Sequence, residues 1–114
     1  MLRREEKPSG LPHNAIANGT YIKGNIDAQE DFRIDGTIDG DVSCKGKVVV
    51  GPQALITGNV SCINADVLGT INGNVELQES LIIRKTGKIN GDITTKTLTV
   101  EPDAFFSGRC VMTK

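Results

Sequence analysis

The stretch ITGNV at residues 56–60 decides the fold, because its pattern recurs along the chain. The pattern has five positions: an apolar residue, any residue, a glycine, a polar residue and a second apolar residue. The six copies are IKGNI, IDGDV, ITGNV, INGNV, INGDI and a divergent FSGRC, at residues 22–26, 38–42, 56–60, 71–75, 89–93 and 106–110. Their glycines, separated by 16, 18, 15, 18 and 17 residues, are Gly24, Gly40, Gly58, Gly73, Gly91 and Gly108. A repeat this short indicates one turn of a solenoid per copy.

Residues between these glycines alternate with the period of a β-strand. From Phe32 to Val50 every second residue is apolar or glycine, and all the residues between them except Val49 are polar. Period-two alternation places the apolar set on one face of a strand. Because glycine lacks a Cβ and tolerates unusual backbone angles, the six repeat glycines are predicted to be structural corners that face inward.

Aligning the copies produces columns of like residues. The leading column is Ile22, Ile38, Ile56, Ile71, Ile89 and Phe106. Four residues later comes the column Ile26, Val42, Val60, Val75, Ile93 and Cys110, and two residues before the leading column come Thr20, Gly36, Ala54, Gly69, Gly87 and Ala104. Two further columns lie two residues apart. One contains Phe32, Val48, Ala65, Leu81 and Leu98, and the other contains Ile34, Val50, Val67, Ile83 and Val100.

The columns predict an all-β fold, a single-stranded β-helix (β-solenoid) of about six coils. At about 4.8 Å per coil the stack is roughly 29 Å long. Residues 20–110 form the predicted core, residues 1–19 a flexible N-terminal tail that contains two prolines, and residues 111–114 a short C-terminal tail. The connection that leads into the leading column is four residues long in some coils and six in others, as in the one that contains GPQA. Because the difference is an even number, the same residues still point inward.

Several residues that could form sites are better explained by a structural role. The Asn/Asp column after the glycines could be a calcium or ice-binding stripe, but turn chemistry is favoured, since the calcium repeat has a different glycine spacing. Cys44 and Cys62 fall in equivalent places of successive coils, and with Cys110 they are interpreted as small buried residues rather than a thiol pair or metal clip. His13, the only histidine, lies in the predicted tail.

Composition narrows the possible functions. The net charge of −1 and the aromatic content of 4% disfavour nucleic-acid binding. Neither a P-loop nor a catalytic or metal-ligand set is present, so we expect no nucleotide, cofactor or metal and no enzymatic activity. A hexapeptide-type acyltransferase is disfavoured because it needs a strict six-residue period and a catalytic histidine. No apolar run is long enough to span a membrane and no secretory signal follows Met1, so a cytoplasmic protein is expected.

The ends of the predicted stack point to self-association. Solenoids that stay monomeric cover their end coils, because open strand edges pair with other chains, and the sequence offers no obvious cap. In the last copy, period-two alternation places Phe106 inward and Phe105 outward. Leaving both rings in water is unfavourable. We therefore predict uncapped ends and a polymer interface at Phe105 and Phe106, which would join copies end to end.

The six I-x-G-[N/D]-[V/I] turns, the tail and the closing FFSGRCVM resemble the bactofilins, a family of bacterial polymer-forming cytoskeletal proteins. The resemblance implies a right-handed, roughly triangular β-helix and filaments that assemble end to end without nucleotide, often on the inner membrane. It also implies a scaffold that localises cell-wall enzymes and shapes the cell, with Phe106 as the C-terminal Phe needed for assembly. An adaptor that does not polymerise is the alternative.

The short tail leaves membrane attachment open. Met1, Leu2, Arg3 and Arg4 form a candidate anchor with one leucine and two arginines, which repetition along a filament would strengthen. A simply solvated tail fits the same residues.

Overall fold

The chain folds into a β-solenoid whose coils each have three flat faces. A computed structural model describes residues 13–113, apart from the side chain of His13. Within these residues all regular structure is β-strand, and every strand pair is parallel. Each strand pairs with the equivalent strand one coil away, so the predicted all-β solenoid of about six coils is confirmed.

The strands of each face stack along the axis of the solenoid. Face 1 is a six-stranded sheet of β2 (Tyr21–Lys23), β5 (Thr37–Asp39), β8 (Leu55–Thr57), β10 (Thr70–Asn72), β12 (Lys88–Asn90) and β15 (Phe105–Ser107). Face 2 contains β3 (Ile26–Ala28), β6 (Val42–Cys44), the first parts of β9 (Val60–Val67) and β11 (Val75–Ile83), β13 (Ile93–Thr95) and β16 (Cys110–Met112). Face 3 contains β1 (His13–Ile16), β4 (Asp31–Ile34), β7 (Lys47–Val50), the second parts of β9 and β11, and β14 (Thr97–Val100).

The chain visits the faces in the order 3, 1, 2, so the first coil is β1 to β3 and the sixth is β14 to β16. Strands β9 and β11 continue around the corner between faces 2 and 3. For this reason those two faces belong to one ten-stranded sheet.

The residues that align in columns in the sequence are paired with one another in the parallel sheets. On face 1 the pairing runs Ile22, Ile38, Ile56, Ile71, Ile89, Phe106. On face 2 it runs Ile26, Val42, Val60, Val75, Ile93, Cys110. The inward side chains of the middle coils are shielded completely, with Ile38, Ile56, Ile71 and Ile89 all at 0% exposure. Burial of these branched side chains is the main favourable contribution to folding.

The first coil begins earlier than the sequence predicted. The flexible tail was expected to extend to residue 19, but His13–Ile16 forms β1 and pairs with β4. Ile16 pairs with Ile34 and is buried, and the turn after it closes with a 3.1 Å hydrogen bond from Thr20 N to Ala17 O. The prediction that residues 13–16 belong to a tail is therefore wrong, because Ile16 continues the inner column of face 3. At the other end β16 extends to Met112, two residues past the predicted core.

The odd repeat lengths arise at the corner between faces 2 and 3. Leu81 follows Leu77 by four residues along the chain, but Ala65 follows Cys62 by only three. Cys62 pairs with Leu77 and Ala65 pairs with Leu81, so the two corners are equivalent and lie one coil apart. The sheet register shifts at that point. The same short corner follows Thr95, which explains the repeat lengths of 15 and 17 residues.

A side chain supports the backbone at each short corner. The Cys62 Sγ donates to Asn64 O at 3.3 Å, and the Thr95 hydroxyl donates to Thr97 O at 3.0 Å. Both donors are buried, Thr95 completely. They satisfy carbonyl oxygens that the tightened corner turns inward.

Candidate functional site

The corner between faces 1 and 2 carries the six repeat glycines. Their φ values lie between 139° and 157°, a region that side chains rarely adopt. A Cβ built on Gly58 would collide with the carbonyl oxygen of Gly40 in the coil before it, and Gly73 and Gly91 show the same relation to their predecessors. The glycines were predicted to be corners because they lack a Cβ, and the atom that a Cβ would meet is a backbone oxygen of the preceding coil.

The Asn/Asp column forms a hydrogen-bond ladder beside these glycines. The Asn25 Oδ1 accepts from Asp41 N at 2.9 Å, and the same contact repeats between each later pair of coils at 2.9–3.0 Å. The last contact is the donation from Arg109 N to Asp92 Oδ1. One side-chain oxygen of each of these residues thus accepts a hydrogen bond from a backbone amide of the next coil. The favoured turn chemistry is in fact a contact between coils rather than within one turn.

The cysteines are donors inside the stack. Cys44 and Cys62 are buried free thiols, and the Cys44 Sγ lies 3.2 Å from Glu30 O. Burial raises the pKa of Cys62 to about 12 and also raises that of Cys44, so both stay protonated at neutral pH. Cys110 is half-buried on the last coil, with its Sγ 3.5 Å from Met112 Sδ. In residues 13–113 no three His, Cys, Asp or Glu side chains converge in a way that could hold a metal ion.

The predicted interface residues lie together on the last coil. Phe106 pairs with Ile89 in the inward column, and Phe105 pairs with Lys88 in the outward column with 49% of its surface exposed. The Phe106 ring packs on the core but is only partly buried, unlike Ile89. Two more inward positions of this coil, Val100 and Met112, are 46% and 50% exposed. The C-terminal end is therefore an apolar surface in the described residues.

The N-terminal end is also apolar, but concave. An open cavity of about 550 Å³ is lined by the apolar residues Ala15, Ile16, Ile22, Ile26, Ala28 and Phe32. Its polar lining residues are Asn14, Asp27, Gln29 and Glu30. The inward residues Ile22 and Ile26 are only partly buried there.

The remaining candidates fall in two groups. His13 begins β1 instead of lying in a tail. The candidate anchor residues Met1, Leu2, Arg3 and Arg4 lie outside the described residues. The part of the chain that the structure does describe contains no helix long and apolar enough to cross a membrane.

The fold defines a class of protein: a parallel β-solenoid in which the inward column is only partly buried at both ends of the described residues. Comparison with known families agrees. The model of the bactofilins, described as polymer-forming cytoskeletal proteins, matches residues 14–111. The chain belongs to the bactofilin family, and the family is one of structural cytoskeletal proteins.

Individual relatives support the assignment. The chain is 27% identical to bactofilin BacP of Myxococcus xanthus over 104 residues, which cover 91% of this chain and 43% of BacP. It is 23% identical to BacO of the same organism over 108 residues, which cover 95% of this chain and 86% of BacO. Its fold matches a cryo-EM reconstruction of Thermus thermophilus bactofilin double helical filaments with a TM-score of 0.82 and 26% identity, over 88% of this chain and 99% of that one.

Proposed function

We propose that this chain assembles end to end, without nucleotide, into cytoskeletal filaments that act as a scaffold for cell-envelope or cell-shape proteins at the membrane. Membership of a polymer-forming family and the match to a bactofilin filament support self-association. The scaffold role and the recruitment of cell-wall enzymes rest on the family resemblance.

The observation that carries the proposal is the exposure of the inward column at the last coil. In the middle coils the inward residues are shielded by a coil on each side, as Ile71 is. Phe106, at the end of the same column, has a coil on one side only. Another copy placed against this end would bury the ring and supply partners for the open strand edges. Burial and backbone pairing need no bound nucleotide.

Phe106→Arg tests the interface. The substitution places a charge in a contact that should be dry, where an unpaired buried charge costs several kcal/mol. We expect size-exclusion chromatography to show small soluble species for Phe106→Arg and polymers in the void volume for the parent. Circular dichroism should show unchanged strand content, because the columns of the other coils are intact.

A neighbouring substitution provides the control. Ser107 is the next residue of β15 and is exposed. Ser107→Arg adds the same charge without touching the inward column, so it should still polymerise. Elution of Phe106→Arg in the void volume would contradict a C-terminal contact, and a parent that stays small would favour a non-polymerising adaptor.

Membrane attachment needs a separate test. The proposal assigns it to Met1, Leu2, Arg3 and Arg4, where a short apolar and basic segment gains strength by repetition along a filament. Deleting these four residues should reduce sedimentation with anionic liposomes and leave the polymers intact. Equal sedimentation of both proteins would remove the membrane link.

A further inference from the structure

The chain contains three Asn-Gly pairs, at residues 18–19, 72–73 and 90–91. An asparagine followed by glycine can modify itself. The backbone nitrogen of the glycine attacks the side-chain carbonyl carbon of the asparagine, ammonia leaves, and a succinimide ring forms. Water then opens the ring to aspartate or isoaspartate. Glycine permits the attack because it has no side chain to block the approach. The three pairs are chemically alike, so their surroundings in the fold decide which of them reacts.

The two later pairs lie at the corner between faces 1 and 2, where the glycine nitrogen is engaged. Gly73 N donates to Asn90 O at 2.9 Å, and Gly91 N donates to Ser107 O at the same distance. The asparagine side chains are held as well, because Asn90 Nδ2 donates to Asn72 Oδ1 at 2.9 Å. A nitrogen that is bonded to the next coil cannot attack until that hydrogen bond opens, which is unfavourable inside the stack.

These two glycines also lack the space that the reaction needs. A Cβ built on Gly73 would collide with the carbonyl oxygen of Gly58, and one on Gly91 would collide with that of Gly73. Asn72 and Asn90 are the last residues of β10 and β12. Closing the succinimide ring requires rotation of the backbone between asparagine and glycine, and the neighbouring coil leaves no room for it.

The first pair occupies the turn between β1 and β2. The turn closes with the bond from Thr20 N to Ala17 O, and Asn18 and Gly19 are its exposed central residues. Gly19 has a φ of 92°, and a Cβ built on it would have no atom within 4 Å. Within residues 13–113 no backbone carbonyl accepts from Gly19 N. The nitrogen is therefore available and the turn has room to change shape.

The turn also belongs to the first coil, which has a neighbouring coil on one side only. Its inward residues Ile22 and Ile26 are only partly buried. In a stack whose coils contact only their neighbours, the end coils open more readily than the middle ones. The backbone motion that brings Gly19 N to the side chain of Asn18 is therefore least restricted here.

We propose that Asn18 is a site of spontaneous deamidation in the folded protein, whereas the stack protects Asn72 and Asn90. The isoaspartate that forms carries the main chain through the former side chain, which adds one carbon atom to the turn and leaves a carboxylate in place of the amide. The turn holds β1 against β4, where Ile16 O accepts from Asp35 N at 2.8 Å. Its lengthening should loosen that pairing.

Peptide mapping of the aged protein tests the site. Trypsin cleaves after lysine and arginine, and Lys23, Lys47 and Lys88 place the three pairs in separate peptides. The folded full chain is incubated in mildly alkaline buffer and then digested. In the peptide that ends at Lys23, fragmentation should show at Asn18 the mass change from an amide to a carboxyl group. Methyl transfer from labelled S-adenosylmethionine by an isoaspartyl methyltransferase identifies the isoaspartate.

The rates at the three pairs carry the result. We expect Asn18 to react more than about ten times faster than Asn72 or Asn90, because their glycine nitrogens must first open from interior coils. Peptides incubated after digestion have lost the fold, and all three pairs should then react. Asn18→Ala should abolish the change in its peptide. Equal rates in the folded protein, or no reaction at Asn18 where the free peptide reacts, would overturn the proposed site.

Hydrogen exchange tests the consequence for the first coil. In the aged protein Asp35 N should exchange faster than in the fresh protein, because its acceptor Ile16 O lies in the loosened strand. Gly73 N, in the middle of the stack, should exchange equally in both. Asn18→Ala aged in the same way should keep the exchange of its fresh form. Unchanged protection of Asp35 N in fully converted protein would overturn the loosening of β1.

Discussion

Among the corner glycines, Gly24 and Gly58 have similar backbone angles but different surroundings. Their φ values are 139° and 149°. A Cβ on Gly58 would meet the Gly40 carbonyl, whereas a Cβ on Gly24 would have no atom within 4 Å. Alanine at either position adds backbone strain of about 1–2 kcal/mol. Only Gly58→Ala adds a collision between coils as well.

We expect Gly58→Ala to lower the free energy of unfolding by about 1–3 kcal/mol more than Gly24→Ala does. Urea denaturation of both variants, each made in the Phe106→Arg background that is expected not to polymerise, measures the difference. Equal losses would show that backbone strain alone requires the glycines and that the contact between coils does not matter.

A second prediction at the scale of single residues concerns the buried hydroxyl of Thr95. Thr95→Val keeps the shape of the side chain but removes the donor to Thr97 O, so it should cost about 1–3 kcal/mol. The preceding residue Thr94 points outward and is half-buried, and Thr94→Val should change stability little. The same urea titration compares them. A Thr95→Val variant as stable as Thr94→Val would mean that the short corner needs no side-chain donor.

The sequence could predict which residues point inward but not all of their contacts. Alternation and alignment identify Ile56 and Phe106 as inward because each obeys the period of two. The roles of Cys62 and Thr95 depend on corners that are one residue shorter than their neighbours. That difference appears in the sequence only as an irregular spacing, and its position along the coil was not evident.

At the scale of the element, the Asn/Asp ladder ties successive coils together. Asn59 Oδ1 accepts from Asn74 N at 2.9 Å. Asn59→Ala removes this acceptor at an exposed corner, and we expect a loss of about 0.5–1.5 kcal/mol in unfolding free energy. Asn59→Asp keeps the oxygen, as Asp41 and Asp92 do in the same column, and should lose less. Thermal denaturation ranks the variants, and equal losses would argue against the ladder.

Strand β1 shows where prediction of the elements was incomplete. The inner column of face 3 is recognisable in later coils because two apolar residues occur together, as in Val48 and Val50. In β1 the place of Phe32 is taken by Asn14, so only Ile16 carries the pattern. A single apolar residue between polar, glycine and proline-rich segments resembles a tail. Pairing with β4 outweighs that local composition.

At the scale of the whole molecule, the columns predict how one chain stacks but not how copies meet. Each inward column records contacts within the chain, because neighbouring copies of the repeat are in register. The proposed contact between chains lies at the end coils, where each column stops and has no further copy to align. The exposure of Val100 and the partial burial of Phe106 at that end are seen only in the structure.

A stack in which each coil contacts only its neighbours should be weakest at its ends. Ile71 and Ile22 occupy the same inward column of face 1, but Ile71 is completely buried in the fourth coil and Ile22 only partly buried in the first. In the Phe106→Arg background, Ile71→Ala should lower the unfolding free energy by about 2–5 kcal/mol, the usual cost of this truncation in a core. Ile22→Ala should cost less than half as much, because its side chain lacks a coil on one side. Urea denaturation gives both values, and equal costs would mean that the first coil is packed as fully as the middle of the stack.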